Sequence, residues 1–225
     1  MIKFIVIIPF YIKILKLQIP SHIKYDTFMF ILDASNFKKA RITIFLISIN
    51  TLLYLFFSFD FEEVEEVFYL LVQINSKIIN ELEIWRLFTS MFLHGDVLHL
   101  FSNMVSLLIF GAYVELSYSK YQFIIIYIIS GLVGSFFSML FMPPYIISLG
   151  ASGAIFGLIG AAFSILIVQR DTPLIFLGLI YVFYFIFSSF SPNVNYLAHI
   201  FGLLAGLIIG YFFKRNKKPV VRYQY

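Results

Sequence analysis

Six long apolar segments, separated by more polar stretches, dominate the chain after about residue 40. Each is about 20 residues long, the length that a helix needs to cross the hydrocarbon core of a bilayer. A backbone inside a bilayer must satisfy its own hydrogen bonds, and the segments lack the alternating pattern of barrel strands, so helices are expected. The pattern predicts an all-α, polytopic membrane protein with spans at residues 42–59, 97–116, 121–142, 150–168, 173–190 and 196–213.

The composition agrees with insertion into a membrane. Hydrophobic residues make up 61% of the 225 residues and charged residues only 12%, whereas a soluble domain has about half and about a quarter. A soluble globular protein is therefore excluded. The chain has no cysteine, which also excludes disulfides, thiolate metal sites and cysteine nucleophiles.

The formal net charge of +4 comes from basic residues that flank the predicted spans, not from a groove for nucleic acid. The loop between the first two spans instead carries six glutamates against Lys77 and Arg86. Because basic residues collect on the cytoplasmic side, both termini are expected in the cytoplasm, which an even number of spans also requires. The flanking basic residues are Lys13, Lys16, Lys24, Lys38, Lys39, Arg41, Lys214, Arg215, Lys217, Lys218 and Arg222.

The chain divides into three predicted parts. Residues 1–40 form an N-terminal cytoplasmic or interfacial segment, residues 41–213 the six-helix membrane domain, and residues 214–225 a basic cytoplasmic tail. The start of the chain is apolar but contains Pro9 and lacks a small-residue cleavage site, so neither a span nor a signal peptide is predicted there. An interfacial stretch and a misassigned start codon both stay open.

Two residues with the chemistry of a serine hydrolase stand near the predicted outer ends of two spans. Ser152 opens the fourth span and His199 the sixth, and both spans enter from the same side, so a similar depth is expected. A histidine can take the proton of a serine hydroxyl and make it a nucleophile. The outer halves of both spans lack a carboxylate, so we expect a Ser152–His199 dyad, with Phe156 stacked on the imidazole.

Donors for an oxyanion are predicted at the same level. His99 and Asn103 are four residues apart near the start of the second span, on one face of the helix. The Ser152 backbone N–H lies at the free N-terminus of its helix, where the missing Cβ of Gly150 lets the chain turn sharply. Donors aimed at a developing negative charge lower the barrier to acyl transfer. We therefore expect Asn103, His99 and the Ser152 amide to form an oxyanion site.

Small residues recur at every fourth position on the two spans that carry the serine and the histidine. They are Gly153 and Gly157 on the fourth span and Ala198, Gly202, Gly206 and Gly210 on the sixth. Ridges of this kind let helix backbones approach closely. Close packing of these two spans is therefore expected to bring Ser152 and His199 together.

Taken in order, these motifs resemble those of the rhomboid intramembrane serine proteases of the basic six-span type, over residues 41–213. The matching residues are Trp85-Arg86, His94, His99, Asn103, Gly111 to Glu115, Gly150 to Gly153, and Ala198-His199 with Gly202 and Gly206. The resemblance implies a six-helix rhomboid bundle that cleaves transmembrane segments of other proteins near their outer ends. It implies transmembrane substrates and membrane lipids as partners, and no nucleic acid, metal or cofactor.

The resemblance also implies roles for single residues. Ser152 is the nucleophile, His199 is the general base and acid, and the donors named above form the oxyanion site. His94 matches a position with a structural role, and the first loop is implied to lie partly in the outer leaflet. Trp85 either anchors that loop at the membrane interface or has a structural role with Arg86. We expect a prokaryotic cell membrane, with the site opening to its outer side.

Two other functions compete with proteolysis. A catalytically silent rhomboid-like protein would bind transmembrane clients without cutting them, although such proteins usually lack the serine or the histidine. A small transporter is less favoured, because the polar residues cluster at one end and the third and fifth spans hold no charged residue. Glu115, at the inner end of the second span, is not expected to be catalytic; its carboxylate either snorkels or bonds to neighbouring backbone.

Overall fold

The structure is a computed structural model, and it describes residues 34–59, 62–170, 172–188 and 194–215. The predicted N-terminal segment up to residue 33 and the basic tail from residue 216 lie outside these described residues. Helix is the predominant structure within them, as the apolar pattern predicts.

Eleven α-helices and two short strands make up the described residues. In chain order, helices α1 to α11 are Ala34–Lys39, Arg41–Phe57, Glu62–Leu71, Asn75–Glu81, Arg86–Thr89, Val97–Ser106, Ala112–Ser117, Lys120–Phe141, Ser152–Gln169, Thr172–Ser188 and Tyr196–Arg215. Strands β1 (Gln73–Ile74) and β2 (Ile147–Ser148) pair antiparallel. A π-helical turn at Leu107–Gly111 joins α6 to α7 without a break, and a 3-10 turn at Ser90–Phe92 follows α5.

Each of the six predicted apolar segments is helical. Within the described residues, four helical stretches are long and apolar enough to cross a membrane: Val97–Ser117, Lys120–Phe141, Ser152–Gln169 and Tyr196–Arg215. The other two predicted spans, α2 and α10, are apolar helices of 17 residues each, at the short end of the range of about 17 to 25 residues that span a bilayer. The chain is therefore an all-α membrane protein, whose described part contains four helices that meet the length of a span and two apolar helices that are slightly shorter.

Helix α9 forms the centre of the bundle. It is apolar on all sides, as expected of a helix surrounded by protein, and 67% of its span is buried, against 28% to 44% for the other three long spans. It packs most extensively against α11 and then α8. A Cβ at Gly206 would lie only 1.8 Å from the Gly157 carbonyl oxygen. The small-residue ridges predicted on these two spans thus line the α9–α11 interface.

The segment between α2 and α6 was expected only as a long loop, yet it folds into α3, β1, α4 and α5. The buried guanidinium of Arg86 donates to the carbonyl oxygens of Tyr69 and Val72, and Trp85 Nε1 donates to the carbonyl oxygen of Leu70 at 3.1 Å. These carbonyls lie at the C-terminal end of α3, where intrahelical partners run out. These hydrogen bonds join Trp85 and Arg86 to the end of α3, and the structural role of the pair stays a prediction.

Glu115 ties α7 to the first residues of α2. Its carboxylate accepts hydrogen bonds from the backbone N–H groups of Ile42 (3.0 Å) and Thr43 (2.8 Å) and from the Thr43 hydroxyl (2.8 Å). The two amides are free donors at a helix N-terminus, where a negative charge is also favoured by the helix dipole. Of the two interpretations left open for Glu115, the structure shows the bond to neighbouring backbone.

Tyr118 joins α7 to the ends of α9 and α11. Its hydroxyl lies 2.8 Å from the Ser164 hydroxyl, 3.2 Å from the Ala161 carbonyl oxygen and 3.1 Å from the Gly210 carbonyl oxygen. The Lys214 ammonium lies 4.7 Å from the centre of the Tyr118 ring. Burial raises the pKa of Tyr118 to about 12, with the hydrogen bond to Ser164 acting in the opposite direction. The hydroxyl therefore stays protonated and can act as a donor at any physiological pH.

Candidate active site

The structure brings the predicted serine and histidine into direct contact. Ser152 is the first residue of α9, and His199 lies in the first turn of α11. The Ser152 hydroxyl oxygen and His199 Nε2 are 2.8 Å apart, a hydrogen-bonding distance. The Phe156 ring lies parallel to the imidazole, with an interplanar angle of 9° and 4.2 Å between ring centres. A hydroxyl in this position can pass its proton to the imidazole.

Glycines permit the close approach of the helices that carry this pair. A Cβ at Gly202 would lie 2.2 Å from the carbonyl oxygen of Gly153, a distance that no side chain tolerates. On the other side of α11, a Cβ at Gly134 of α8 would lie 2.6 Å from the carbonyl oxygen of Ala198. The predicted positions Gly153 and Gly202 thus set the spacing beside the Ser152–His199 contact. Gly134 contributes in the same way and was not predicted.

The two predicted side-chain donors converge on Gly150. This glycine has a φ of +121°, a conformation that residues with a Cβ rarely adopt. A Cβ there would lie 2.7 Å from His99 Nε2 and 3.5 Å from Asn103 Nδ2. The Asn103 amide nitrogen is buried and has no hydrogen-bond partner in the described structure. The unpaired donor thus lies beside Gly150, two residues before Ser152 in the chain, and an oxyanion site requires such a donor before substrate binds.

His94 lies behind His99. The two imidazole rings meet edge to face, with centres 5.1 Å apart and an interplanar angle of 64°. His94 is 3% exposed, and neither ring nitrogen has a hydrogen-bond partner among the described residues. Burial, helped by the nearby His99 and opposed by Asp96, lowers the pKa of His94 to about 3. His94 is therefore neutral at physiological pH and packs against the ring of His99, one of the two predicted side-chain donors.

The chain before Ser152 is held against the first long loop. Strand β2, which precedes Gly150, pairs with β1 through Gln73 and Ser148. The Gly150 N–H donates to the carbonyl oxygen of Ser90 at 2.9 Å. The hydrogen bonds of Trp85 and Arg86 run to the end of α3, so these predicted residues support the loop and do not touch the serine. The loop therefore acts on the site through β1 and Ser90.

Asn195 is a site residue that the sequence analysis missed. Its Nδ2 donates to the hydroxyl oxygens of Ser138 (2.5 Å) and Ser148 (2.9 Å), and its Oδ1 accepts from the Ala198 N–H at 3.0 Å. An asparagine directly before an apolar helix is a signal for an N-cap and could have been found in the sequence. The contacts with Ser138 and Ser148 depend on tertiary structure and had no sequence signal.

A small cavity adjoins the serine. Its volume is about 20 Å³, and a space of about 10 to 15 Å³ suffices for one water molecule if polar partners are present. Polar groups are available around it from both strands, the 3-10 turn, α8, the start of α9 and the residue before α11. The polar residues that line the cavity are Gln73, Ser90, Ser135, Ser148, Ser152 and Asn195.

Fold and site together define a polytopic helical membrane protein with a serine–histidine pair at one end of its bundle. A family model described as the Rhomboid domain matches residues 81–216. The chain is similar to RHOMBOID-like protein 1 of Arabidopsis thaliana, with 36% identity over 143 residues, which are 61% of this chain and 36% of that protein. It is also similar to the protein named "Putative rhomboid protease YdcA" of Bacillus subtilis, with 31% identity over 180 residues, 77% of this chain and 89% of that protein.

The chain belongs to the rhomboid family. A third relative, RHOMBOID-like protein 6, mitochondrial, of Arabidopsis thaliana, is 39% identical over 140 residues, 60% of this chain and 45% of that protein. The chain thus spans less than half the length of the plant relatives that it matches. Relatives occur in a plant and in a bacterium, so the family does not indicate the source of the chain.

Proposed function

We propose that this rhomboid is an intramembrane serine protease that hydrolyses peptide bonds in or near the transmembrane segments of other membrane proteins. The observation that carries the proposal is the 2.8 Å contact between the Ser152 hydroxyl and His199 Nε2. Membrane helices rarely bury such a pair without a use for it. The stacked Phe156 supports the proposal further, because its contact with the imidazole ring restrains the orientation of that ring beside the serine.

In the proposed reaction His199 first acts as a base. It takes the Ser152 proton while the serine oxygen attacks the scissile carbonyl carbon, and the negative charge moves to the carbonyl oxygen. Asn103 Nδ2, His99 and the Ser152 backbone N–H donate to that oxygen. His199 then gives its proton to the amine, the C–N bond breaks, and an acyl ester remains on Ser152.

Deacylation consumes one water molecule. His199 takes a proton from the water, whose oxygen attacks the ester carbonyl carbon, and returns that proton to the Ser152 oxygen as the carboxylic acid product, which keeps the second water proton, leaves. Hydrocarbon does not supply water, so a polar reservoir beside the serine is needed. The cavity of about 20 Å³ next to Ser152 fits this need.

We propose a topology with six spans, in which α2 and α10 also cross the membrane and both termini lie in the cytoplasm. The acidic residues of the loop that follows α2, against the basic residues Lys38, Lys39 and Arg41 before it, support this orientation. The Ser152–His199 pair then opens to the outer side. The boundaries of the domain at residues 41–213 and a prokaryotic cell membrane stay predictions.

The proposal is tested with purified protein in detergent, a single-span reporter substrate and a serine-directed fluorophosphonate. The protein should cleave the reporter and bind the fluorophosphonate covalently, and Ser152→Ala should abolish both without changing the helical content. His199→Ala should abolish cleavage as well. Ser164→Ala is a matched control, because Ser164 is another serine of α9 but lies about three turns away and bonds to Tyr118.

Cleavage that survives Ser152→Ala would contradict the proposal. The competing function, a silent rhomboid that binds transmembrane clients, would be indicated by a folded wild-type protein that retains the reporter in pull-down but neither cuts it nor reacts with the fluorophosphonate.

A further inference from the structure

We propose that Asn195 is a positioning residue, which fixes the place of His199 relative to Ser152 by bonding at once to three parts of the chain beside the site. This inference rests on the proposed protease function. The direct bond of Asn195 to the serine–histidine pair is through the backbone, where the Asn195 carbonyl oxygen accepts from the His199 N–H. Its side chain bonds to α8 and β2 through Nδ2 and to α11 through Oδ1.

The first bond fixes the start of α11. Asn195 Oδ1 accepts from the Ala198 N–H at 3.0 Å, and the Asn195 carbonyl oxygen accepts from the His199 N–H at 3.4 Å. The first N–H groups of a helix have no partner within the helix and fray without a cap. His199 lies in this first turn, so the cap on the Ala198 N–H also fixes the position of the His199 backbone, from which the imidazole extends.

The second pair of bonds fixes this helix start against the serine. Asn195 Nδ2 donates to Ser148, four residues before Ser152, at 2.9 Å, and to Ser138 of α8 at 2.5 Å. Ser148 belongs to β2 and is itself held by its pairing with Gln73. The backbones that carry Ser152 and His199 are thus tied through one amide group, with α8 as the support.

Such a tie matters because the proton transfer is sensitive to distance. A base must lie within about 2.6 to 3.2 Å of the proton donor, and a misplacement of about 1 Å can cost about 10²-fold in rate. The glycines at the α9–α11 contact prevent the two helices from being held apart by side chains, but they supply no directional bond. The side-chain hydrogen bonds of Asn195 supply that direction at the level of the site.

Three substitutions separate the effect of the hydrogen bond that caps α11 from the effect of the hydrogen bonds to Ser138 and Ser148, which tie the helix start to β2 and α8. Asn195→Ala removes every side-chain bond, and Asn195→Ser keeps an acceptor for the Ala198 N–H but is too short for both serines. Asn195→Asp keeps all three, because a carboxylate accepts from the amide and the two serine hydroxyls can turn to donate to it. We expect kcat to fall about 10²-fold in Asn195→Ala, less in Asn195→Ser, and little in Asn195→Asp, with KM unchanged throughout.

The rate of fluorophosphonate labelling gives a second readout, because it reports activation of Ser152 without a transmembrane substrate. It should fall in parallel with kcat. Ser119→Ala is the matched control: Ser119 caps α8 through Gln122 at the other end of the bundle, so its loss removes a helix cap without moving the site. Labelling and kcat should stay at the wild-type level in that variant.

The outcomes distinguish this inference from the proposed function. Equal kcat and labelling in wild type and Asn195→Ala, with Ser152→Ala inactive, would overturn the positioning role and leave the protease intact. If Asn195→Ala does not fold, the double variant Ser138→Ala with Ser148→Ala decides, since it keeps the cap and removes only the tie. That double variant should lose kcat and labelling at unchanged KM, and full activity in it would refute the inference. Activity that survives Ser152→Ala would instead refute the proposed function.

Discussion

The two ends of the bundle both bury polar groups, but they treat them differently. At the dyad end, where α6, α9 and α11 begin, Asn103 Nδ2 and both ring nitrogens of His94 are buried without a partner in the described structure. At the opposite end, where α2 begins and α9 and α11 end, Glu115 accepts three hydrogen bonds and the Tyr118 hydroxyl lies near three partners.

This difference indicates which buried polar groups stabilise the fold and which remain available to bind a ligand. A buried polar atom without a partner costs free energy, so native structures contain few of them and each needs a reason. Pairing at the opposite end fastens helices together. The unpaired Asn103 Nδ2 at the dyad end keeps its hydrogen-bonding capacity, in our proposal for the carbonyl oxygen of a substrate.

Among substitutions that test this difference between the two ends, the largest expected effect is on catalysis at the dyad end. Asn103→Ala should lower kcat by about 10²- to 10³-fold, the usual loss for one oxyanion donor. Its free energy of unfolding should not fall, because the amide that is removed had no partner for its nitrogen. Steady-state cleavage and unfolding of the same sample measure both quantities, with Asn80→Ala, an exposed asparagine of α4, as the control. A large loss of stability with little loss of kcat would reverse the assignment.

The next effect is on stability at the opposite end. Glu115→Ala leaves two helix N–H groups and the Thr43 hydroxyl without their acceptor, which should destabilise the protein by roughly 3 kcal/mol. The matched control is Glu81→Ala, whose exposed pair with Lys77 at 2.8 Å should contribute no more than about 0.5 kcal/mol. Unfolding in detergent measures both. Equal stability of the two variants would show that the buried carboxylate does not fasten α2 to α7.

A smaller loss is expected at Tyr118. Removing the hydroxyl in Tyr118→Phe keeps the ring and takes one partner from Ser164, which should cost about 1 kcal/mol. Tyr121→Phe, at an 82% exposed tyrosine, is the control and should be neutral. The kcat of the folded Tyr118→Phe protein should equal that of the wild type. A change in kcat would mean that the two ends are coupled.

The smallest effect at neutral pH concerns His94, which changes stability only as the pH falls. Its pKa is about 3 in the folded chain against an ordinary 6.5, so the unfolded chain takes up a proton first as pH falls. The stability linked to this residue is present above pH 6.5 and is lost progressively towards pH 3. His94→Phe should flatten that part of the profile of unfolding free energy against pH. A profile equally steep in wild type and variant would show that His94 is not buried as a neutral ring.

Much of this fold followed from pattern alone. Apolar runs of span length predicted the six helices, and the four-residue spacing of Gly153 with Gly157 and of Gly202 with Gly206 predicted which two would pack closely. The helices in the first long loop were not predicted. They are short and are stabilised by hydrogen bonds from distant residues, such as Arg86 to the end of α3, and their sequences carry no long period.

The sequence by itself determined that this chain enters a membrane as helices, because the length of an apolar segment can be read directly from neighbouring residues. It also singled out a serine and a histidine near the ends of two of these helices, because polar residues are rare in membrane-spanning segments. Only the tertiary structure decided that the two side chains meet at 2.8 Å, that Asn195 joins three elements beside them, and that Glu115 bonds to α2. Those facts depend on how far apart helices come to rest, which is set by packing between residues distant in the chain.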